Sequence, residues 1–153
     1  MANLWRISNY KSLTGEGGLR YAARWHSAGS RIVYLAESPA GAMVEVLVHL
    51  ELEEVELPRS YTLLRIGVPE GLAIEPMSVP AGEAWKANHE LSRRLGDEWL
   101  GNKTTALARV PSAILPNTAN LLLNPLHRDA ERIEIIESTR AQFDLRLLTN
   151  LRS

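Results

Sequence analysis

An α+β fold is predicted for this chain, because it has many short apolar segments bounded by Gly, Pro or polar residues and only two clear helices. Strand and helix do not alternate regularly, which suits a mixed or mostly antiparallel sheet with flanking helices better than a doubly wound parallel one. A length of 153 residues fits one hydrophobic core, so a single compact domain over 1–153 is expected.

Strands are expected at Leu4–Ile7, Arg31–Ala36, Tyr61–Val68, Ala106–Val110 and Arg132–Ile136, each rich in β-branched or aromatic residues. A last extended piece is expected at Phe143–Leu147, where apolar residues alternate with Asp144 and Arg146. The first helix is announced by Ser38-Pro39, a capping oxygen followed by the ring that suits the first helical position. Met43, Val46, Leu47 and Leu50 then recur at helical spacing. The second helix spans about Asn88 to Trp99, with Leu91, Leu95 and Trp99 four residues apart.

Composition removes several classes of chemistry. Without cysteine there is no disulfide framework, thiol nucleophile or thiolate zinc site. The N-terminus lacks the basic-then-apolar pattern of a signal peptide, and no apolar run reaches the ~18 residues of a membrane span, so a cytoplasmic protein is expected. Seventeen basic against eighteen acidic residues argue against a direct grip on nucleic acid. His26, His49, His89 and His127 fall into no pair at ligand spacing, so no metal is expected. The Gly15–Arg20 cluster lacks the last glycine of a dinucleotide fingerprint and is expected to be a flexible loop, with no helix opening after it. Ser112 has no nucleophile-elbow glycines around it.

What remains unusual lies between Arg24 and Glu45. Glu45 interrupts the apolar run 42–48, where a carboxylate is costly to bury without a partner. Helical side chains lean toward the N-terminus, so it lies over Gly41 and Ala42, small enough to admit a ligand. It reads either as the solvent face of an amphipathic helix or as a ligand-facing group. Arg24 suits a pyrophosphate or a structural carboxylate such as Glu45. Tyr34 is a core aromatic or a stacking platform. Asn120 and Asn124 bracket the apolar triplet 121–123 and suit loop-holding hydrogen bonds.

The chain resembles the RES-domain family, toxins named for an Arg, a Glu and a Ser that pair with Xre-type antitoxins. The resemblance rests on Leu4-Trp5-Arg6-Ile7, Arg24-Trp25-His26, Val33-Tyr34-Leu35-Ala36-Glu37-Ser38, Glu45, Gly96-Asp97-Glu98-Trp99-Leu100, Val110-Pro111-Ser112-Ala113, the segment from Asn120 to His127, and Phe143-Asp144-Leu145-Arg146-Leu147. Their order and combination make the match specific.

This resemblance implies an ADP-ribosyltransferase-like fold, NAD⁺ as substrate rather than cofactor, and Arg24, Tyr34, Glu45 and Ser112 as the catalytic set. Arg6, Trp25, His26 and Asn120 are the further groups expected to bind the dinucleotide, with Arg6 or Arg20 assisting Arg24. The reaction implied is cleavage of the nicotinamide–ribose bond by water or phosphate, or else ADP-ribosylation of a protein. An Xre-type antitoxin is the expected partner, with a toxin homodimer inside a larger complex. A ribonuclease and a non-enzymatic binding module are the remaining alternatives.

Overall fold

In a computed structural model, residues 2–53 and 59–147 are described, without the side chains of 49–53. The Leu50 side chain of the expected apolar row and the His49 imidazole therefore lie outside what is described.

One seven-stranded sheet forms the body of the chain, in the order β4-β5-β6-β2-β1-β3-β7. The strands are β1 (Ala2–Ile7), β2 (Val33–Ala36), β3 (Ser60–Val68), β4 (Ile74–Pro76), β5 (Leu107–Pro111), β6 (Ala119–Leu123) and β7 (Glu134–Gln142). All neighbours are antiparallel except β4 and β5, so the sheet is mixed and the α+β class holds.

Both sheet faces are covered near the middle. Leu121 and Leu123 of β6 join Val33, Leu35, Leu64, Ile66 and Leu107 in one core, whereas Leu122 packs on the other face with Trp25, Ile32, Trp99 and Val110. A strand buried on both sides loses its apolar-polar alternation, which is why 121–123 looks like a bracketed triplet in the sequence but is a central strand.

Two helices match their signals. In α2 (Pro39–Glu53), Ser38 Oγ accepts from the Gly41 amide at 2.9 Å. For α3 (His89–Asn102), Asn88 Oδ1 accepts from the Leu91 amide at 3.1 Å. Trp99 and Leu100 then bury one side of that helix.

Three expectations need correction. The glycine cluster is a turn of helix, α1 (Gly17–Arg20), rather than a loose loop. A Cβ on Gly18 would come within 2.3 Å of the Ser30 carbonyl oxygen, so that glycine serves close packing. Next, Arg132 closes a 3₁₀ turn, Arg128–Arg132, and β7 runs from Glu134 to Gln142, well beyond Ile136. Finally, Phe143–Leu147 is not extended. The Asp144 carboxylate takes the Arg146 amide and guanidinium, and the Leu147 amide donates to the Asp144 carbonyl at 3.0 Å, so local pairing turns the chain.

Candidate active site

A cavity of about 540 Å³ opens where α2, the β1–β2 region, residues 22–25, the start of α3 and the end of β5 converge. Its size is within the ~300–1,000 Å³ range of small-molecule sites. Strand register places Trp5, Tyr34, Ala36 and Asn120 on one sheet face, since Trp5 faces Ala36, Ala36 faces Asn120, and Tyr34 faces Leu122.

Glu45 projects from α2 into this wall and is half-buried. Its Oε1 accepts from Asn120 Nδ2 at 2.9 Å and lies 3.4 Å from Ser112 Oγ. Among the described residues, Oε2 has no hydrogen-bond partner. One oxygen is thereby tethered and the other left open, an arrangement that orients a carboxylate without saturating it. Asn120 itself is fixed by the ladder, pairing with Ala36 on one side and Val110 on the other. Ser112 is buried behind Glu45, and its Oγ also accepts the Ile114 and Leu115 amides at 3.1 Å each. It shapes the loop that leaves β5 as well as touching the carboxylate.

Arg24 lines the cavity and donates through Nη1 to the Lys86 carbonyl. Burial lowers its pKa, and the nearby Glu45 carboxylate acts in the opposite direction. Among the described residues, no ion pair within 4 Å joins the two, so the guanidinium is not consumed as the structural partner of Glu45.

Tyr34 presents its ring to the cavity while its hydroxyl is engaged behind it. The hydroxyl oxygen accepts the Trp25 amide at 3.2 Å and lies 2.7 Å from His26 Nδ1. His26 Nε2 is 3.3 Å from the Gly18 carbonyl, which can only accept. Nε2 therefore carries the proton in the neutral ring, and Nδ1 accepts from the Tyr34 hydroxyl. Burial raises the phenol pKa and lowers that of His26, so both groups are held neutral.

Of the other expected binding residues, Trp25 lines the cavity but is only 3% exposed, with Trp85 5.9 Å away ring to ring. His26 sits behind Tyr34 rather than on the wall. Arg6 lines the cavity and Arg20 does not. Burial lowers the Arg6 pKa, and its Nε is buried with no hydrogen-bond partner among the described residues.

Comparison with known proteins bears on this arrangement. A family model described as the RES domain matches residues 3–146. The chain belongs to the RES-domain family of toxins. "Toxin Res" of Pseudomonas putida is 47% identical over 133 residues, spanning 86% of this chain and 90% of its own length. The "Prs ADP-ribosylating toxin" of a Sphingobium species is 33% identical over 157 residues, spanning 95% and 96%. In fold, the chain is similar to one from the crystal structure of the M. tuberculosis MbcT-MbcA toxin-antitoxin complex. That likeness has a TM-score of 0.74 at 19% identity and covers 99% of this chain and 88% of the other.

In this RES domain, the segment bearing Arg24 is held residue by residue by α3, which the sequence did not reveal. Arg93 Nε donates to the Ala23 carbonyl at 2.9 Å, and Ser92 Oγ donates to the Arg24 carbonyl at 2.6 Å. The Asp97 carboxylate accepts both the amide and the hydroxyl of Ser27, at 2.9 and 2.7 Å. Between these contacts, Gly96 lies so close to Trp25 that an added Cβ would stand 1.6 Å from its carbonyl oxygen. Only Gly96 and Asp97 fall within the RES pattern. Ser92 and Arg93 offered no signal, because their partners lie 68 and 70 residues away in sequence.

Proposed function

We propose that this chain is the toxin of a toxin–antitoxin pair and that it destroys NAD⁺ by breaking the bond between nicotinamide and ribose. The observation that carries the proposal is the Glu45 carboxylate on the cavity wall, tethered through one oxygen and open at the other.

Nicotinamide departs with the bonding electrons as a neutral molecule, so no general acid is needed. Positive charge instead grows on the ribose, as in glycoside hydrolysis. A fixed anion beside that charge lowers the barrier because it needs no reorganisation when the charge appears. The open oxygen of Glu45 accepts a ribose hydroxyl while the tethered one keeps the group aimed. Arg24 and Arg6 bring positive charge to the diphosphate. Tyr34 and Trp25 supply apolar walls. Tyr34 works through its ring, since its hydroxyl proton is committed to His26 and burial opposes its loss. Water or inorganic phosphate then bonds to the anomeric carbon, giving ADP-ribose or its phosphorylated form.

An enzyme of this kind depletes its own cell, so an inhibitor is required. We assign that role to an Xre-type antitoxin covering the cavity in the cytoplasm, with DNA contact made by the antitoxin and the toxin paired as a homodimer within the complex. Two relatives named above support the toxin role, and the fold neighbour comes from a toxin-antitoxin complex. A second reading is supported by the relative named as ADP-ribosylating: a protein side chain, instead of water, becomes the acceptor.

The test is incubation of the purified chain with NAD⁺, alone and with cell extract. Nicotinamide release without extract and without labelled protein supports destruction of free NAD⁺, whereas release only with extract, alongside a labelled protein, supports transfer. Glu45→Gln keeps the shape and removes the charge, and is expected to retain its melting temperature while losing at least about 10²-fold in rate. No release from the unaltered chain under either condition overturns both readings.

A further inference from the structure

Arg93 and His89 stand one helical turn apart at the start of α3, and both line the cavity on the side of Arg24. Neither has a part in the chemistry assigned to Glu45. Arg93 is anchored through Nε to the Ala23 carbonyl, and its two terminal nitrogens have no hydrogen-bond partner among the described residues. Arg24 is likewise anchored at one terminal nitrogen, on the Lys86 carbonyl. Two guanidiniums thus reach one wall, each fixed at one end and open at the other. Neither makes an ion pair within 4 Å among the described residues.

Like charges gathered in this way repel one another. Arg93 opposes protonation of Arg24, and both arginines hold His89 below its ordinary pKa, Arg24 with the larger effect, burial next and Arg93 last. The neighbouring Lys86 ammonium is turned to Glu83, and the nearest carboxylate acting on Arg24 is Glu45 on α2. A cluster of cationic donors that makes no ion pair within 4 Å among the described residues, with Glu45 as the carboxylate that acts on Arg24, is suited to an anion with several oxygens.

We infer that Arg93 and His89 complete a diphosphate subsite with Arg24, gripping the anionic bridge of the dinucleotide while Glu45 faces the ribose. This assignment rests on the NAD⁺ reading given above. Each guanidinium takes one phosphate through its open nitrogens, and His89 takes up a proton as the anion arrives. The sign follows directly: a bound anion raises the imidazole pKa above its value in the empty cavity. Binding is therefore tighter at low pH and weakens as pH rises through the bound-state value, by up to tenfold for each unit separating the two values.

The experiment is calorimetric titration with ADP-ribose, which keeps the diphosphate but has no bond to cleave, from pH 5.5 to 8.5. Arg93→Gln is expected to weaken ADP-ribose by about tenfold or more, with adenosine binding unchanged, and Arg93→Lys to restore part of the loss. His89→Gln is expected to flatten the pH dependence. Unchanged ADP-ribose affinity in Arg93→Gln, or a pH slope that persists in His89→Gln, overturns the subsite. Inorganic pyrophosphate separates this inference from the one beneath it. If the chain leaves NAD⁺ intact yet binds pyrophosphate through Arg93, the subsite stands and the NAD⁺ chemistry falls. If NAD⁺ is consumed with the same KM in both variants, the chemistry stands and the subsite falls.

Discussion

Replacing Asn120 by Ala removes the closest donor to Glu45 while leaving every cavity-lining charge in place. The lost bond is 2.9 Å long, charge-assisted and partly shielded from water. Such bonds contribute about 1.5–3 kcal/mol net. If Glu45 stabilises charge that exists only in the transition state, the whole of that loss falls on kcat, about ten- to hundredfold, and KM barely moves. Asn120→Asp sharpens the test, since it sets a second carboxyl against Glu45. The active form must then share one proton across the pair, so activity shifts to the acid side and falls as the second proton leaves. The assay is nicotinamide release as a function of pH, with thermal melting to establish that each variant is folded. A raised KM with unchanged kcat in Asn120→Ala, or an Asn120→Asp profile that matches the unaltered chain, would refute the tethered-carboxylate argument.

Ser112→Ala should behave differently: its 3.4 Å approach to Glu45 is long for a hydroxyl donor, while its oxygen caps two backbone amides. Stability should drop by about 1–2 kcal/mol in a urea titration, with a smaller kcat effect than Asn120→Ala. Gly96→Ala forces α3 away from the Trp25 carbonyl, 1.6 Å from the new Cβ, and should cost about 3 kcal/mol or more and displace Arg24, read as lower stability together with weaker ADP-ribose binding. Burial lowers the His26 pKa in the folded chain, so the unfolded chain binds more protons below the ordinary value of about 6.5. Stability should be constant above that pH and decline as pH falls through the folded value. His89 contributes with the same sign, so only the part removed in His26→Gln belongs to the buried ring.

Local chemistry made some of this fold legible. Ser38-Pro39 and Asn88 announce their helices because capping is settled within one turn of chain. Strands β1 and β3 keep enough β-branched and aromatic residues to be found, but β6 does not announce itself because both its faces are covered. The short β4, three residues ending in Pro76, has no pattern to detect. At the site, Glu45 was ambiguous on its own terms, since a carboxylate in an apolar run suits either solvent or ligand. The family resemblance pointed to it, and its tether to Asn120 required the β2–β6 register to bring together residues 75 apart. The arginine on α3 was illegible for the same reason, as a surface cation and a cavity cation look alike until tertiary contacts place them.

The tether between Glu45 and Asn120 also has a consequence for how the chain is made. A ribosome completes the helix bearing the acid long before it reaches the amide that aims it, and β6 cannot take its place until β5 and β2 are both available. A truncated product ending before residue 120 lacks the aimed acid, whatever else it folds. Abortive translation would therefore leave fragments without the proposed activity, and a neutralising protein need only be present by the time the last central strand is laid down.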